Sequence, residues 1–295
     1  METRQHRQIC LAQNFLRSAK LVRRLVGMST IGPSDVVYEI GPGSGIITAA
    51  LANVARQVIA IEKDPELVRR LRERFRPLAH VEIVEKDFLD YSFRSRAGNC
   101  GPSLTVERQT RTSEYKIFAN IPYNITAQIL RKILCERSDL GEACLILQNE
   151  AAKRFSGSPR ETLFSILAKP FFEFQILSQL RRTDFWPVPN VDSVLLSIKR
   201  RTHPLLETRD VALYREFVQY GFGRWKPNLR LAFKHVFTYK QWKRLAHDLD
   251  FPLNATPTEL SFEQWLDLYH AFTLVKDTSI TRRMFGEHGD IREYP

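Results

Sequence analysis

The sequence predicts an α/β domain built on a mostly parallel sheet, followed by a small all-helical domain. Three observations carry this expectation. Short apolar strands alternate with amphipathic stretches from Asp35 onward, a glycine-rich turn (Gly41-Pro42-Gly43-Ser44-Gly45) follows the first strand directly, and the strand pattern stops after His203-Pro204. Strands alternating with helices bury a parallel sheet on both faces. Right-handed crossovers then gather the C-terminal strand ends along one edge, which is where ligands bind.

Taken in order, Val36–Ile40 is a strand that runs into the glycine turn, and Ile46 to Ala55 reads as a helix. Val58–Glu62 is a second strand. Asp64-Pro65 supplies an N-cap with proline at the first helical position, and Leu67, Val68, Leu71 and Phe75 follow as an apolar stripe at helical spacing. Val81–Val84, Tyr115–Ile121, Ala143–Leu147 and Ser193–Ile198 are the remaining strands. Residues 92–114 are polar, with Gly98, Gly101 and Pro102, and read as a long surface loop. Val211–Phe222, Pro227–Phe237, Tyr239–Leu249 and Ser261–Phe272 read as helices with no strand between them. The expected organisation is therefore a first domain over 1–205, a helical domain over 206–276 and a polar tail over 277–295.

Composition narrows the function classes. The 295 residues are 43% hydrophobic and 26% charged, ordinary for a globular protein. No apolar run approaches the ~20 residues that span a bilayer, and the first residues lack the apolar core of a secretory signal. Cys10, Cys100, Cys135 and Cys144 are scattered without a C-x-x-C pair or a histidine at ligand spacing. That pattern suits reduced thiols in the cytoplasm and gives no metal site. The excess of 44 Lys+Arg over 33 Asp+Glu, a net charge of +11, suits a polyanionic partner such as nucleic acid. A charge run taken alone is more often a solvated face.

The chemistry-bearing residues fall at strand ends. A glycine loop lets backbone approach a ligand closely, but the spacing here is G-x-G-x-G, with Ile46 where a dinucleotide fingerprint requires its third glycine. Glu62 closes the second strand, where a carboxylate can accept both ribose hydroxyls, and Asp87 follows the third, where it can accept from an adenine amine beside Phe88. Taken singly, Glu62 reads equally as a solvated strand end and Asp87 as the cap of a short turn. Together and in this order they suit an adenosyl sulfonium, S-adenosylmethionine, better than NAD. Asn120-Ile121-Pro122-Tyr123 ends the fourth strand. Proline fixes its own φ and pushes Ile121 toward an extended conformation, so the Asn120 side-chain oxygen and a neighbouring carbonyl can accept from an exocyclic amine while Tyr123 stacks on its ring. An ordinary X-Pro turn is the competing reading.

With these segments on the page, the chain resembles the erythromycin-resistance (Erm) ribosomal RNA adenine methyltransferases and their relatives, the small-subunit rRNA adenine dimethyltransferases. The likeness runs from about Gln13 to Lys276. It rests on Gln13-Asn14-Phe15-Leu16, Glu39-Ile40-Gly41-Pro42-Gly43, Glu62-Lys63-Asp64, Lys86-Asp87, Asn120-Ile121-Pro122-Tyr123, Asp184-Phe185-Trp186-Pro187-Val188-Pro189, Val191-Asp192-Ser193 and Ser261-Phe262-Glu263-Gln264-Trp265-Leu266. Isoleucine after Asn120 and the Arg182-x-Asp184-Phe185-x-Pro187-x-Pro189 run look more like the large-subunit Erm branch. The segment from about Arg94 to Glu114 and the tail after Lys276 extend beyond compact family members.

The resemblance implies a class I, Rossmann-like S-adenosylmethionine-dependent methyltransferase fold with a mixed seven-stranded sheet and a C-terminal helical domain. It implies methylation at N6 of one adenine in the peptidyl-transferase loop of 23S rRNA, reached before ribosome assembly is complete, with macrolide, lincosamide and streptogramin B resistance as the result. A monomer is usual for the family. It carries Gln13, Asn14, Leu16, Gly41, Gly43, Glu62, Lys63, Asp87, Phe88 and Asn120 over as cofactor contacts. Asn120, Ile121, Pro122, Tyr123 and Phe185 carry over as the target-base site, the rings of Tyr123 and Phe185 sandwiching the adenine. Candidate RNA contacts are Arg17, Lys20, Arg131, Lys132, Arg160, Arg224 and Lys226. Three rivals stand beside this reading: a small-subunit (16S) dimethyltransferase, a non-catalytic RNA-binding or transcription-factor relative, and an NAD-dependent Rossmann enzyme. The second would tolerate loss of Asn120 or Asp87, and both are present. The third is disfavoured by the glycine spacing and by the lack of a His or Lys acid–base group near it.

Overall fold

The computed structural model describes residues 14–93, 114–135, 139–223 and 226–276. Gln13, Arg224, most of the expected 92–114 loop and the 277–295 tail lie outside the described residues. The chain divides into two compact units, one running to Ala152 and resuming over Glu173–Arg200, the other made of Lys153–Phe172 and the chain from Arg201 onward. This division differs from a single boundary near residue 205: the segment 153–172 leaves the sheet unit and joins the helices.

In the first unit, β1 (Phe15–Leu16) and α1 (Ala19–Val26) precede β2 (Val36–Ile40), α2 (Ile46–Leu51), β3 (Gln57–Glu62), α3 (Pro65–Phe75) and β4 (Val81–Glu85). Then come β5 (Tyr115–Asn120), α4 (Thr126–Cys135), β6 (Leu140–Gln148) and α5 (Asn149–Ser156), which crosses into the second unit. That unit continues with α6 (Leu163–Ala168), and the chain returns through β7 (Phe172–Leu180), β8 (Phe185–Trp186) and β9 (Ser193–Arg200). Seven strands form one sheet in the order β4-β3-β2-β5-β6-β9-β7, while β1 and β8 make a separate two-stranded ribbon. The block from β4 to β6 is parallel and β9 runs antiparallel to β6, so the sheet is mixed, as the resemblance implies.

Burial explains why the strands read as apolar runs. Alternate residues Val37, Val58, Phe118, Ile146 and Leu195 join one core cluster with Leu25 of α1 and Leu51 of α2. Their sequence neighbours Tyr38, Ile59, Ile117, Leu145 and Leu196 are buried as well. Side chains alternate across a strand, so burial of both sets means that both faces of the sheet are covered.

Local chemistry sets the helix ends. Asp64 accepts from Glu66 N at 2.8 Å and Leu67 N at 3.4 Å with Pro65 following, the expected cap. The helix expected over 46–55 stops at Leu51, and Asn53 Nδ2 donates to the Ala49 carbonyl at 2.7 Å, a side chain competing for the backbone of its own last turn. β7 was not anticipated. Its apolar residues show no clean contrast, since Ile176 is 38% exposed and Phe172 and Leu180 are buried at its ends.

The second unit contains α6, α7 (Val211–Gly223), α8 (Leu229–Ala232), α9 (Tyr239–Asp248) and α10 (Phe262–Val275). The long helix expected over Pro227–Phe237 is one capped turn. Asn228 accepts from Leu231 N at 3.0 Å, and the chain then bends so that Phe233, Val236 and Phe237 all enter the core. That core is aromatic: Phe217 stacks on Phe233 at 4.8 Å and on Phe272 at 4.9 Å between ring centres. Ser261 and Thr238 close capping boxes with Gln264 and Gln241.

Gly221 shows how tight this packing is. A Cβ built there lies 2.5 Å from Trp265 Cη2 and 3.1 Å from Phe233 Cζ. Glycine-to-alanine within a helix gains roughly 0.5–1 kcal/mol from backbone entropy, whereas overpacking a filled core costs about 1–3 kcal/mol. The overpacking term wins. We expect Gly221→Ala to lower the urea midpoint read by tryptophan fluorescence; a variant that unfolds later than the wild type would mean this aromatic core is slack.

Candidate active site

β3 and β4 lie to one side of β2, while β5 and β6 lie to the other. The ends of β2 and β5 therefore form the switch point at which an open α/β sheet binds its ligands. The glycine turn leaves β2 there and Asn120-Ile121-Pro122-Tyr123 leaves β5. Gly41 of that turn, Asn120 to Tyr123, Asn14 and Phe15 line one cleft.

Gly43 sits at φ +56°, and a Cβ on it would lie 2.5 Å from Phe15 Cε1. Only glycine meets both demands. Glu62, 2% exposed, binds the turn to the end of β3. Its Oε1 accepts from Lys63 N at 2.8 Å and Asp64 N at 3.1 Å, and its Oε2 from Gly43 N at 3.3 Å. Two carboxylate oxygens offer about four lone-pair sites, so capacity remains after these three bonds. Asp87 caps the short 3₁₀ turn Phe88–Asp90 by accepting from Leu89 N at 2.9 Å, and its second oxygen lies 3.8 Å from Lys63 Nζ. Asp87 thus does serve as a turn cap, and that engages only Oδ1.

Glu39 is the acid that sequence reading passed over. It is 1% exposed inside β2; its Oε2 accepts from Thr48 Oγ1 at 2.6 Å and its Oε1 has no partner. Burial pushes its carboxyl up to about 8, with a smaller upward contribution from Glu62, against the lowering effect of the Thr48 hydroxyl. The available signal was one acid in an otherwise apolar strand. Glu39 belongs to the matched segment, but its match assigns it no role.

The Asn120 side chain is oriented by its partner. Its amide contacts the Asn14 carbonyl oxygen at 2.6 Å, and a carbonyl can only accept, so the NH2 group faces Asn14 and Oδ1 turns away. Ile121 N donates to the Ile146 carbonyl at 3.2 Å, and the Pro122 carbonyl accepts from Ile125 N and Thr126 Oγ1. Among the described residues no N–H reaches the Ile121 carbonyl. Tyr123, half-buried, shares a 2.7 Å hydrogen bond between its hydroxyl and Ser193 Oγ, which is fully buried. Burial raises the Tyr123 hydroxyl above its usual pKa, and the Ser193 bond offsets part of that. Nothing in the sequence singled out Ser193 as this tether, because residues 123 and 193 meet only through the fold.

Other expected site residues lie elsewhere. Phe185 does not face the cleft: it is completely buried and packs in the core with Leu16, Val22, Leu25 and Phe118. Leu16 likewise points its side chain into that core, and Phe15, not singled out before, lines the cleft in its place. The β1–β8 register gives the reason. Leu16 pairs with Phe185 and Phe15 with Trp186, so one face of the ribbon turns inward and the other outward. Lys132, expected on RNA, donates to the Leu89 carbonyl at 3.0 Å and lies 5.9 Å from the centre of the buried Phe88 ring. Arg17, Lys20 and Arg131 are exposed in the first unit, Arg160 and Lys226 in the second.

The description "Ribosomal RNA adenine dimethylase" belongs to a family model that matches residues 4–274. The chain belongs to that family. A small-subunit rRNA methyltransferase A of Moorella thermoacetica is 35% identical over 216 residues, covering 72% of this chain and 73% of that protein. An rRNA adenine N-6-methyltransferase of Saccharopolyspora erythraea is 30% identical over 258 residues, covering 87% of this chain and 63% of that one. Among solved structures, the 23S rRNA methyltransferase ErmE superposes with a TM-score of 0.75 at 28% identity, over 88% of this chain and all of that chain. This family member is an S-adenosylmethionine-dependent rRNA adenine methyltransferase with a Rossmann-like fold.

The residues at the switch point fit that cofactor. A Cβ-free cradle at Gly43 is closed by the Phe15 ring, and Glu62 Oε2 accepts from the Gly43 N–H behind it. The acceptor capacity left on Glu62 suits the ribose hydroxyls of an adenosyl group. Among the described residues no group of His, Cys, Asp and Glu could hold a metal ion, and no helix is long and apolar enough to cross a membrane.

Glu39 makes stability depend on pH. Its folded pKa is raised from 4.5 to about 8, so its contribution is fully present below the unfolded value and is lost as pH rises toward the folded one. The limiting slope in that window is about 1.4 kcal/mol per pH unit. We expect Glu39→Gln to flatten the fall in unfolding midpoint between roughly pH 5 and pH 8; an unchanged fall would mean Glu39 ionises freely.

Proposed function

We propose that the chain methylates N6 of one adenine in the peptidyl-transferase loop of 23S rRNA, acting before assembly is complete and giving macrolide, lincosamide and streptogramin B resistance. The observation that carries the chemistry is the fixed Asn120 amide, with Oδ1 facing away from Asn14 beside an unengaged Ile121 carbonyl. Supporting the large-subunit substrate are isoleucine at position 121 and the likeness to the 23S rRNA methyltransferase ErmE.

An exocyclic adenine amine is a weak nucleophile because its lone pair is delocalised into the ring. Asn120 Oδ1 and the Ile121 carbonyl accept its two hydrogens, draw the nitrogen toward tetrahedral geometry and free the lone pair in the remaining direction. Bound S-adenosylmethionine supplies a methyl group on a sulfonium sulfur that leaves as a neutral thioether. The protein contributes position and electrostatics and needs no strong base; the proton on the methylated amine passes to water. Tyr123, steadied by Ser193, offers one stacking face worth about 1–3 kcal/mol. Phe185 supports the ribbon from the core side and does not form the second face. Glu62 and Asp87 would receive the ribose hydroxyls and the cofactor adenine, with Asn14, Gly41, Lys63 and Phe88 around them. The target base must leave its stack to enter, with the exposed Arg17 and Lys20 as candidates for flanking phosphates.

A small-subunit substrate is the second reading, favoured because several curated relatives carry the name small subunit methyltransferase A. Labelled methyl transfer to 23S and 16S transcripts side by side separates the two, and primer extension on the methylated transcript locates the adenine. Label confined to 16S transcript would overturn the large-subunit assignment. We expect Asn120→Ala to lower turnover on the methylated transcript by about 100- to 1,000-fold, as for loss of one preorganised polar contact, with circular dichroism unchanged. Near-wild-type turnover by this folded variant would refute the acceptor role.

A further inference from the structure

The outward face of the β1–β8 ribbon carries an aromatic that the cleft does not use. Phe15 and Trp186 are directly paired, so their side chains project from the same face about 5 Å apart at the Cβ atoms. Phe15 lines the cleft, while Trp186 beside it is 46% exposed. Val188 and Val191 on the same loop are 56% and 41% exposed. An indole left half in water next to a ligand cleft has no packing explanation, since its neighbour Phe185 already fills the core beneath.

The same ribbon leads into a basic stripe. Arg17 N donates to the Asp184 carbonyl at 3.0 Å, fastening the end of β1 to the turn before β8. Ser18 then caps α1 by accepting from Leu21 N. Val22, Leu25 and Val26 bury one face of α1, while Lys20, Arg23 and Arg24 are exposed. These three and Arg17 form no ion pair among the described residues. Arg181 is exposed on the turn before β8, whereas Arg182 is balanced by Asp192 at 3.6 Å. An aromatic face beside a row of unpaired cations is the pairing that single-stranded nucleic acid uses, bases on rings and phosphates on cations.

We propose that Trp186 is a stacking platform for an unpaired nucleotide flanking the target adenine, and that Arg17, Lys20, Arg23 and Arg24 hold the adjoining phosphates. This rests on the rRNA adenine reading of the cleft and adds a second base-binding position to it. Because the platform reads a neighbour of the target, it selects which adenine is presented. A protein partner docking on the exposed Trp186, Val188 and Val191 is the competing occupant.

The test uses the full chain and a hairpin cut from whichever transcript it methylates, with each nucleotide flanking the target replaced in turn by an abasic one. We expect Trp186→Ala to weaken hairpin binding and raise KM by about 5- to 150-fold, the span of one lost base stack. Turnover at saturating RNA and calorimetric affinity for S-adenosylhomocysteine stay near wild type, and Trp186→Phe recovers most of the loss. One abasic position should weaken the wild type by a similar factor and leave Trp186→Ala indifferent. Neutralising Arg23 and Arg24 together as Arg23→Gln/Arg24→Gln should reduce the slope of log affinity against log salt by about 1.4, roughly 0.7 per lost contact on single strands. Wild-type methylation with unaltered RNA affinity in Trp186→Ala, or a loss with no position becoming indifferent, overturns the platform alone and favours the protein-partner reading. Failure of the wild type to bind or methylate either rRNA overturns the functional reading together with the platform.

Discussion

The hydrogen bond from the Asn120 amide to the Asn14 carbonyl is the contact on which the candidate site depends. It joins the end of a central strand to the start of the described chain and orients an otherwise symmetric-looking amide. Without it, nothing named at the site would stop Oδ1 and Nδ2 from exchanging places, and the flipped amide would present donors to an amine that needs acceptors. The β1–β8 ribbon holds Asn14 where this bond can form, and the buried Leu16–Phe185 pair holds the ribbon. Phe185 thus matters to the site through the chain it anchors.

Much of the first unit was legible in the sequence because its signals are local. Apolar runs ending in Gly41, Glu62, Asp87 and Asn120 identify parallel strands and the edge where they finish, and Asp64-Pro65 announces a helix start. The mixed seven-stranded sheet came from the family likeness, and the structure bears it out. What failed depends on register or on distance along the chain. Leu16 against Phe15, and Phe185 against its neighbour, are choices between adjacent residues on a ribbon of period two. A one-residue difference in facing exchanges core for cleft, and two-residue strands carry no pattern to read.

Tertiary position decided the rest. Lys132 looks like any surface cation until the Leu89 carbonyl and Phe88 ring close around it. The segment 153–172 is continuous with a strand-rich region, yet Ile166 buries against Tyr214 and Phe217, and Lys169 pairs with Glu161 within the helical unit. Such grouping follows from packing partners found far along the chain. Ser193 and Glu39 lie within matching segments, but their roles emerge only when a hydroxyl meets Tyr123 or a carboxyl is found buried against Thr48.

The ribbon has a consequence for how the protein is born. Phe15 and Leu16 leave the ribosome long before their strand partners, Trp186 and Phe185. Contacts this distant in sequence form late, so the nascent chain carries an unlatched β1 segment through synthesis of nearly all of the sheet. An emerging chain therefore lacks the Asn14 carbonyl that disciplines Asn120, and the enzyme gains its amide orientation only once the segment after β7 has been translated. A chain stalled before that point would be folded over much of its sheet and chemically silent.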